Sequence, residues 1–429
     1  MDRTSTLSET RERLAKLGVG IPEILLPTPG TDLTKWAVVA CDQFSSERSY
    51  WEETDRLVGD APSTLRLILP ECYLEDGDPA PRIEAIDAAM EAYLAQGHLR
   101  PLAPGFILLD RSTPFVTSRK GMMLAVDLER YSFEPGSTAL IRPTEGTILK
   151  RLPPRMAIRR GAALDLPHIL LLVDDPEHTL IEPLFAARKA LEQVYDFDLI
   201  QGGGHITGWH VPESHMGAVA SALEGLAQGG MLFAVGDGNH SLAAAKQLWE
   251  EKKAQGAPAD HPARWALVEV ENLHDDGVLF HPIHRALFHV DISHLKHAMG
   301  QRLGGSFLPG EVAPRQEGSH HSLGYVFPSE KGNFVFDRPG NRMTVEFFQE
   351  FLDDYLAGHQ GVSIDYIHGE GALEALARTP GSAGFFLPPV AEETFFSRIV
   401  TVGVYPRKTF SIGEAAEKRY YLEARRIKP

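Results

Sequence analysis

Only two cysteines, Cys41 and Cys72, occur in 429 residues, and neither belongs to a CxxC pair. That scarcity excludes a disulfide framework and a cysteine-rich zinc site, and it fits a reducing, cytoplasmic compartment. Long apolar runs are missing too. The amino terminus carries charges through Lys16, and the most apolar run, Ile169–Val173, is far too short to span a bilayer, so neither secretion nor membrane insertion is expected. Positive charge is in deficit: 42 Lys and Arg against 58 Asp and Glu give a net charge of −16, the wrong sign for gripping a nucleic-acid backbone. Several signature motifs are absent. There is no GxxxxGK[ST] run, no GxSxG elbow, no HExxH helix and no protein-kinase motif set, and the GxG at 236–238 lacks the third glycine and the spaced acid of a dinucleotide fold.

What is present is enough chain for two to three domains with substantial cores. Thr6-Leu7-Ser8-Glu9 reads as a capping box ahead of a helix ending at Gly18, and Trp36–Ala40 as a short strand leading into Cys41-Asp42. Ile83, Ile86, Met90 and Leu94 keep helical spacing before the stop at Gly97. Gly105–Asp110 and Gly121–Leu128 are β-rich and expected to pair, with Ile141–Leu149 as a further strand. From Leu166 strands and helices alternate: strand Ile169–Val173, helix Thr179–Val194, strand His205–Val211, helix Ser214–Leu226, strand Met231–Val235, helix Ser241–Lys252 and strand Trp265–Val270. Near the end, Tyr325–Phe327 and Asn333–Phe336 suggest a hairpin, and Val345–Leu356 an amphipathic helix. The fold class expected is α+β, with mixed sheets and flanking helices. Linker candidates are 254–262 and 312–321.

The most informative stretch is MLFAVGDGNHSLAAAK, Met231–Lys246: an apolar strand, a polar glycine turn, then an alanine-rich helix. Gly236 and Gly238 permit positive φ and close main-chain approach, and a helix start offers unpaired N–H groups to an anion. Asp237 can hold Mg²⁺, and His240 can donate to a phosphoryl oxygen or move a proton. The same residues equally suit a tight turn capped by Asn239 or Ser241. Arg142-Pro143-Thr144-Glu145 offers Arg142 as a phosphate clamp and Glu145 as a general base, or a solvated Arg–Glu pair. Gly202-Gly203-Gly204 reads as the flexible exit from the helix ending near Tyr195. His281-Pro282-Ile283-His284-Arg285 points to one buried histidine and an Arg285 directed at an anion rather than to zinc. Pro406-Arg407-Lys408-Thr409 places two cations beside hydroxyls, a phosphate-binding pattern or ordinary surface.

In order, Val39-Ala40-Cys41-Asp42, Arg142–Thr147, LPHILLLVDD from Leu166, His205-Ile206-Thr207-Gly208-Trp209, Gly236–Ser241, Pro282-Ile283-His284-Arg285 and Pro406–Ser411 resemble the bacterial and archaeal family called domain of unknown function 1015. Thr144 departs from the His many relatives carry, and Ser241 from a common Arg. The unit from His205 to Lys252 resembles the core of ParB-type, sulfiredoxin-type and free-serine-kinase proteins. The resemblance implies an N-terminal α+β region over 1–165, a phosphate-binding core over 166–310 and a C-terminal region over 311–429. It also implies a small-molecule phosphotransferase using ATP or ADP, with Mg²⁺, on a hydroxyl metabolite such as free L-serine. In that picture the amides of Gly236, Gly238, Asn239 and Ser241 hold phosphates and Asp237 places Mg²⁺. His240 contacts the transferring group, and Glu145 or Asp42 accepts a proton. Arg142, His284, Arg285, Lys408 and Thr409 bind the nucleotide. A nucleotide- or metabolite-sensing protein and a phosphate-releasing hydrolase are the alternatives.

Overall fold

The computed structural model describes residues 3–74, 76–313, 320–337 and 342–429. The chain forms two units. One comprises Met1–Val278, Phe396–Val404 and Glu414–Pro429, the other Leu279–Phe395 and Tyr405–Gly413. The fold is α+β, and no helix among the described residues is long and apolar enough to cross a membrane.

The first unit is organised by a nine-stranded mixed sheet. Its strands are β1 (Val19–Gly20), β2 (Gly105–Ser112), β3 (Arg119–Asp127), β4 (Ile141–Pro143), β5 (Leu170–Val173), β6 (Glu192–Asp198), β7 (His205–Pro212), β8 (Phe233–Asp237) and β9 (Trp265–Asn272). They run in the order β6-β7-β2-β3-β9-β5-β8-β4, with β1 on β3. The expected pairing of β2 with β3 is observed, antiparallel. Strands from both sides of residue 165 share this sheet, so the boundary expected there separates no compact bodies. The 254–262 linker is a short connection inside this unit, and 312–321 lies mostly outside the described residues. Leu171, Val173, Val235, Val268 and Val270 sit in one core cluster with Leu242, Ala245 and Trp249 of the Asn239–Ala254 helix. Alanines at 243–245 keep that helix close to its neighbours, and all three are buried.

Four expectations needed correction. The helix expected over 179–194 shrinks to Glu182–Ala187, and Glu192–Asp198 is β6. Tyr195-Asp196-Phe197-Asp198 alternates apolar with acidic side chains, and this period of two wins once β7 offers an antiparallel partner. Gly202–Gly204 therefore joins two strands rather than leaving a helix. Only Ile141–Pro143 of 141–149 is strand, and Trp36 ends the short Leu33–Trp36 helix, leaving Val38–Val39 extended.

Gly204 has φ +87°, and a Cβ there would overlap the Ser112 carbonyl oxygen. Gly204→Ala is expected to cost about 2–4 kcal/mol, from the left-handed backbone and the overlap together. Urea unfolding checks this, and a loss below about 0.5 kcal/mol, the range of a surface substitution, would contradict it.

The second unit holds an antiparallel sheet of β10 (Phe280–Phe288), β11 (Ser306–Pro309), β12 (His320–Val326), β13 (Lys331–Asp337), β14 (Ser363–His368), β15 (Ser382–Phe386) and β16 (Phe410–Ile412). The order is β11-β13-β12-β15-β10-β14, with β16 on β10. The expected hairpin is β12 with β13, and the expected amphipathic helix runs Thr344–Gly358.

Candidate functional site

β8 ends at Asp237, where its pairing with β5 shifts register between Val235 and Asp237. Gly236 is the residue at that irregularity. It lies in the strand and has no positive φ, so its freedom serves the bulge rather than a turn. Gly238 makes the turn, with φ +77° at the N-cap of the Asn239–Ala254 helix, and no side chain caps that helix. The first-turn amides are partly committed: Gly238 N–H donates to Asp237 Oδ1 at 2.9 Å, and the Ser241 and Leu242 amides donate to the Gly238 carbonyl at 3.0 Å each. The amide of Asn239 meets no acceptor among the described residues, and its Oδ1 is buried without a hydrogen-bond partner among them. A buried acceptor left unmatched is uncommon in folded proteins and points to a missing donor.

β4 runs parallel to β8, with Ile141 opposite Phe233 and Pro143 opposite Val235. The segment leaving β4 therefore emerges beside Asp237, the position where parallel strands place ligand-binding groups. Thr144 Oγ1 donates to the Val235 carbonyl at 2.7 Å, and the Ile148 amide donates to His240 Nε2 at 3.2 Å. Half-buried Glu145 is carried on the loop these two bonds hold. His240 accepts through Nε2, so in the neutral ring the hydrogen sits on Nδ1.

Lys418 Nζ lies 3.0 Å from Asp237 Oδ2, with the lysine side chain 14% and the aspartate 28% exposed. Burial alone pushes the Asp237 carboxyl up, but the Lys418 charge and hydrogen bond, with His168 and the Gly238 amide, bring it below its ordinary value. Asp237 is thus ionised near neutrality. A carboxyl lower in the folded than in the unfolded chain stabilises the fold fully above its unfolded value of about 3.9, and that contribution drains away as pH falls through the folded value. The difference in urea stability between the protein and Asp237→Asn is expected to hold steady from about pH 7 to about pH 5 and to shrink below about pH 4. A difference that widens on acidification would contradict this.

Lys418 and Tyr421 reach the site because the C-terminal segment is tied down from beneath. Arg111, buried on β2, donates to the carbonyls of Gly203, Ala416, Glu417 and Lys418 at 2.7–3.0 Å. Tyr420–Tyr421 then pairs with Val38–Val39, which places Cys41 and Asp42 beside Tyr421. Asp42 accepts from Gln43 Nε2 at 3.1 Å. Glu71 pairs with Arg155, and its carboxyl is raised by burial against the pull of Arg155, with Asp42 and His168 also acting on it.

The structure thus assembles Asp237, Asn239, His240, Ser241 and the Glu145 loop around one helix start, with Asp42 near the Tyr421–His168 pair. Two donors of Arg142 are turned to the main chain: its Nε donates to the Ala139 carbonyl and Nη2 to that of Gly230, both at 2.7 Å. His284, Arg285, Lys408 and Thr409 lie in the second unit. There the Leu387 amide donates to His284 Nδ1, and the fully buried Arg285 donates to Gln349 and the Ile283 carbonyl beneath the Tyr366 ring. Thr409 closes its own turn onto the Pro406 carbonyl, and Lys408 is exposed. The cation that meets Asp237 is Lys418. His168, Glu71, Arg155, Lys418 and Tyr421 carried no signal as site residues, although His168 opens the LPHILLLVDD run.

The similar solved structures are distant in sequence. A conserved hypothetical protein from Pyrococcus furiosus is 12% identical with a TM-score of 0.35, over 71% of this chain and 95% of that one. Free serine kinase in complex with AMP is 13% identical with a TM-score of 0.37, over 71% and 91%. SbnI with C-terminal truncation from Staphylococcus aureus is 10% identical with a TM-score of 0.35, over 68% and 82%. No curated protein matches the chain. The model of the family described as protein of unknown function, DUF1015, matches residues 25–355, and with most of its length inside that match the chain belongs to the DUF1015 family.

Proposed function

We propose that this protein is a small-molecule phosphotransferase, taking a phosphoryl group from ATP or ADP and giving it to a hydroxyl metabolite, with free L-serine as the first acceptor to try. The observation that carries the proposal is the ionised Asp237, paired with Lys418, at the uncapped start of the Asn239–Ala254 helix. Phosphoryl transfer needs positioned oxygens, neutralised charge and an oriented base. The Asn239 amide and the helix dipole meet phosphate oxygens, Lys418 balances their charge in place of Arg285 and Lys408, and Glu145 or Asp42 takes the hydroxyl proton. Mg²⁺ suits the donor set, because that ion is commonly held by one or two carboxylates together with substrate phosphates. When bound it neutralises charge on the transferring group.

The test is incubation of the purified chain with ATP or ADP, Mg²⁺ and a panel of hydroxyl metabolites, with mass detection of phosphorylated products. A phosphorylated acceptor, absent with Asp237→Ala, is expected. Nucleotide binding without any product would instead mark a sensor, and inorganic phosphate without a phosphorylated acceptor a hydrolase.

A further inference from the structure

Behind the same helix start runs a chain of hydrogen-bonded side chains that direct transfer from nucleotide to acceptor does not require. Ser241 Oγ lies 2.9 Å from His168 Nε2, and His168 Nδ1 lies 2.8 Å from Tyr421 Oη. Tyr421 Oη donates to Cys41 Sγ at 3.1 Å and accepts from the Cys41 amide at 3.3 Å. One of the two hydrogen placements this chain allows makes the serine the donor. With the tyrosine hydrogen on sulfur, Oη presents a lone pair to His168, and the imidazole hydrogen belongs on Nδ1. Nε2 is then bare, and the Ser241 hydroxyl is its donor. A serine whose hydrogen rests on an imidazole, itself oriented by a third group, is the arrangement that activates a serine nucleophile.

Two observations distinguish this serine from a hydroxyl that merely satisfies a buried histidine. Ser241 and His168 both line a cavity of ≈ 110 Å³, whose other polar walls are Tyr421, Asp165 with its partner Arg159, and Arg155, which pairs with Glu71. That is about three to four times the ~30 Å³ share of a water in the liquid, and well short of the ~300 Å³ at which sites for whole small molecules begin. That size suits a phosphoryl group and is too small for a whole nucleotide. Ser241 also stands two residues from Asn239, whose buried Oδ1 has no hydrogen-bond partner among the described residues.

We infer that Ser241 receives the phosphoryl group before the acceptor does, so that the reaction passes through a phosphoserine. The inference rests on the phosphotransferase reading. In the first half, a bond forms between Ser241 Oγ and the terminal phosphorus as the bond from that phosphorus to the bridging oxygen breaks. The electron pair leaves with the shortened nucleotide, and the Oγ hydrogen passes to His168 Nε2. In the second half, the acceptor oxygen bonds to phosphorus and the Oγ–phosphorus bond breaks. Oγ recovers its proton from His168, and the acceptor's hydroxyl proton goes to Asp42 or Glu145. Ser241 and His168 touch the reacting atoms, and Tyr421 is a positioning residue that fixes the tautomer.

The experiment omits the acceptor. The full chain is incubated with Mg²⁺ and ATP or ADP labelled in the terminal phosphate, quenched in acid and mapped by peptide mass spectrometry. Expected is an acid-stable, alkali-labile label on the Ser241 peptide, absent in Ser241→Ala and formed about 10²–10⁴-fold more slowly in His168→Asn. Tyr421→Phe, which keeps the ring, is expected to label with a displaced pH–rate profile. Ser241→Ala making phosphorylated acceptor at the wild-type rate, or the label mapping to another residue, overturns the inference while leaving the phosphotransferase reading intact. Neither label nor product overturns both.

Discussion

Asp237→Ala is expected to cut product formation by about 10²–10³-fold, the loss typical when one preorganised electrostatic group is taken from a transition state. Asp237 closes β8, its Oδ1 orders the turn by accepting from the Gly238 amide, and its Oδ2 faces Lys418 at 3.0 Å. Removing the carboxylate takes away the oxygen proposed to hold Mg²⁺ and one partner of the Lys418 ammonium. Binding and turnover should therefore separate. ADP binding measured without Mg²⁺ is expected to persist or tighten, because a negative charge beside an anion has gone, while turnover with Mg²⁺ collapses. Calorimetry of metal-free ADP binding, set beside the initial rate, checks this. Equal loss of both would show that Asp237 only holds the turn together.

Arg111→Ala is expected to be the most destabilising single change in the first unit, at about 4 kcal/mol. The guanidinium is nearly inaccessible, at 3% exposed, and four carbonyls converge on it. Hydrogen bonds to a charged donor contribute about 1.5–3 kcal/mol each, and their loss leaves buried acceptors unmatched, which is only partly offset by local relaxation. Burial also draws this guanidinium down to about 9, so that its charge is held against desolvation. Arg111→Lys keeps a charge but lacks the planar fork, and is expected to recover under half of the loss. Because Ala416, Glu417 and Lys418 are the tethered residues, the milder variant should also weaken ADP binding. Urea unfolding and calorimetry on both variants check this, and full recovery by lysine would contradict the geometry.

The strand, glycine turn and alanine-rich helix from Phe233 to Ala254 were legible because each signal is local: apolar run, polar turn, small residues on the buried side. The pairing of β2 with β3 was legible for the same reason. The electrostatics of the site were not. Lys418 meets Asp237, and His168 meets Ser241, across 73 residues and more of chain, and Tyr421 meets His168 across 253. Nothing in the local pattern of a lysine near the C terminus separates it from an ordinary surface cation. Arg142 shows the same limit: its neighbours in sequence suggest anion binding and give no sign of the two carbonyls it meets, one of them 88 residues away. Gly236 was read as turn chemistry because a bulge and a turn both favour glycine, and only strand register distinguishes them.

In the proposed phosphotransferase, phosphate oxygens are met by main-chain hydrogens at the start of the Asn239–Ala254 helix. Amide-resolved NMR during an ADP titration tests it most directly. The resonance of Asn239 is expected to move furthest, with Gly238 and His240 following and saturation matching the calorimetric curve. ADP that saturates the protein while the Asn239 amide stays still, or that does not bind at all, would contradict the account.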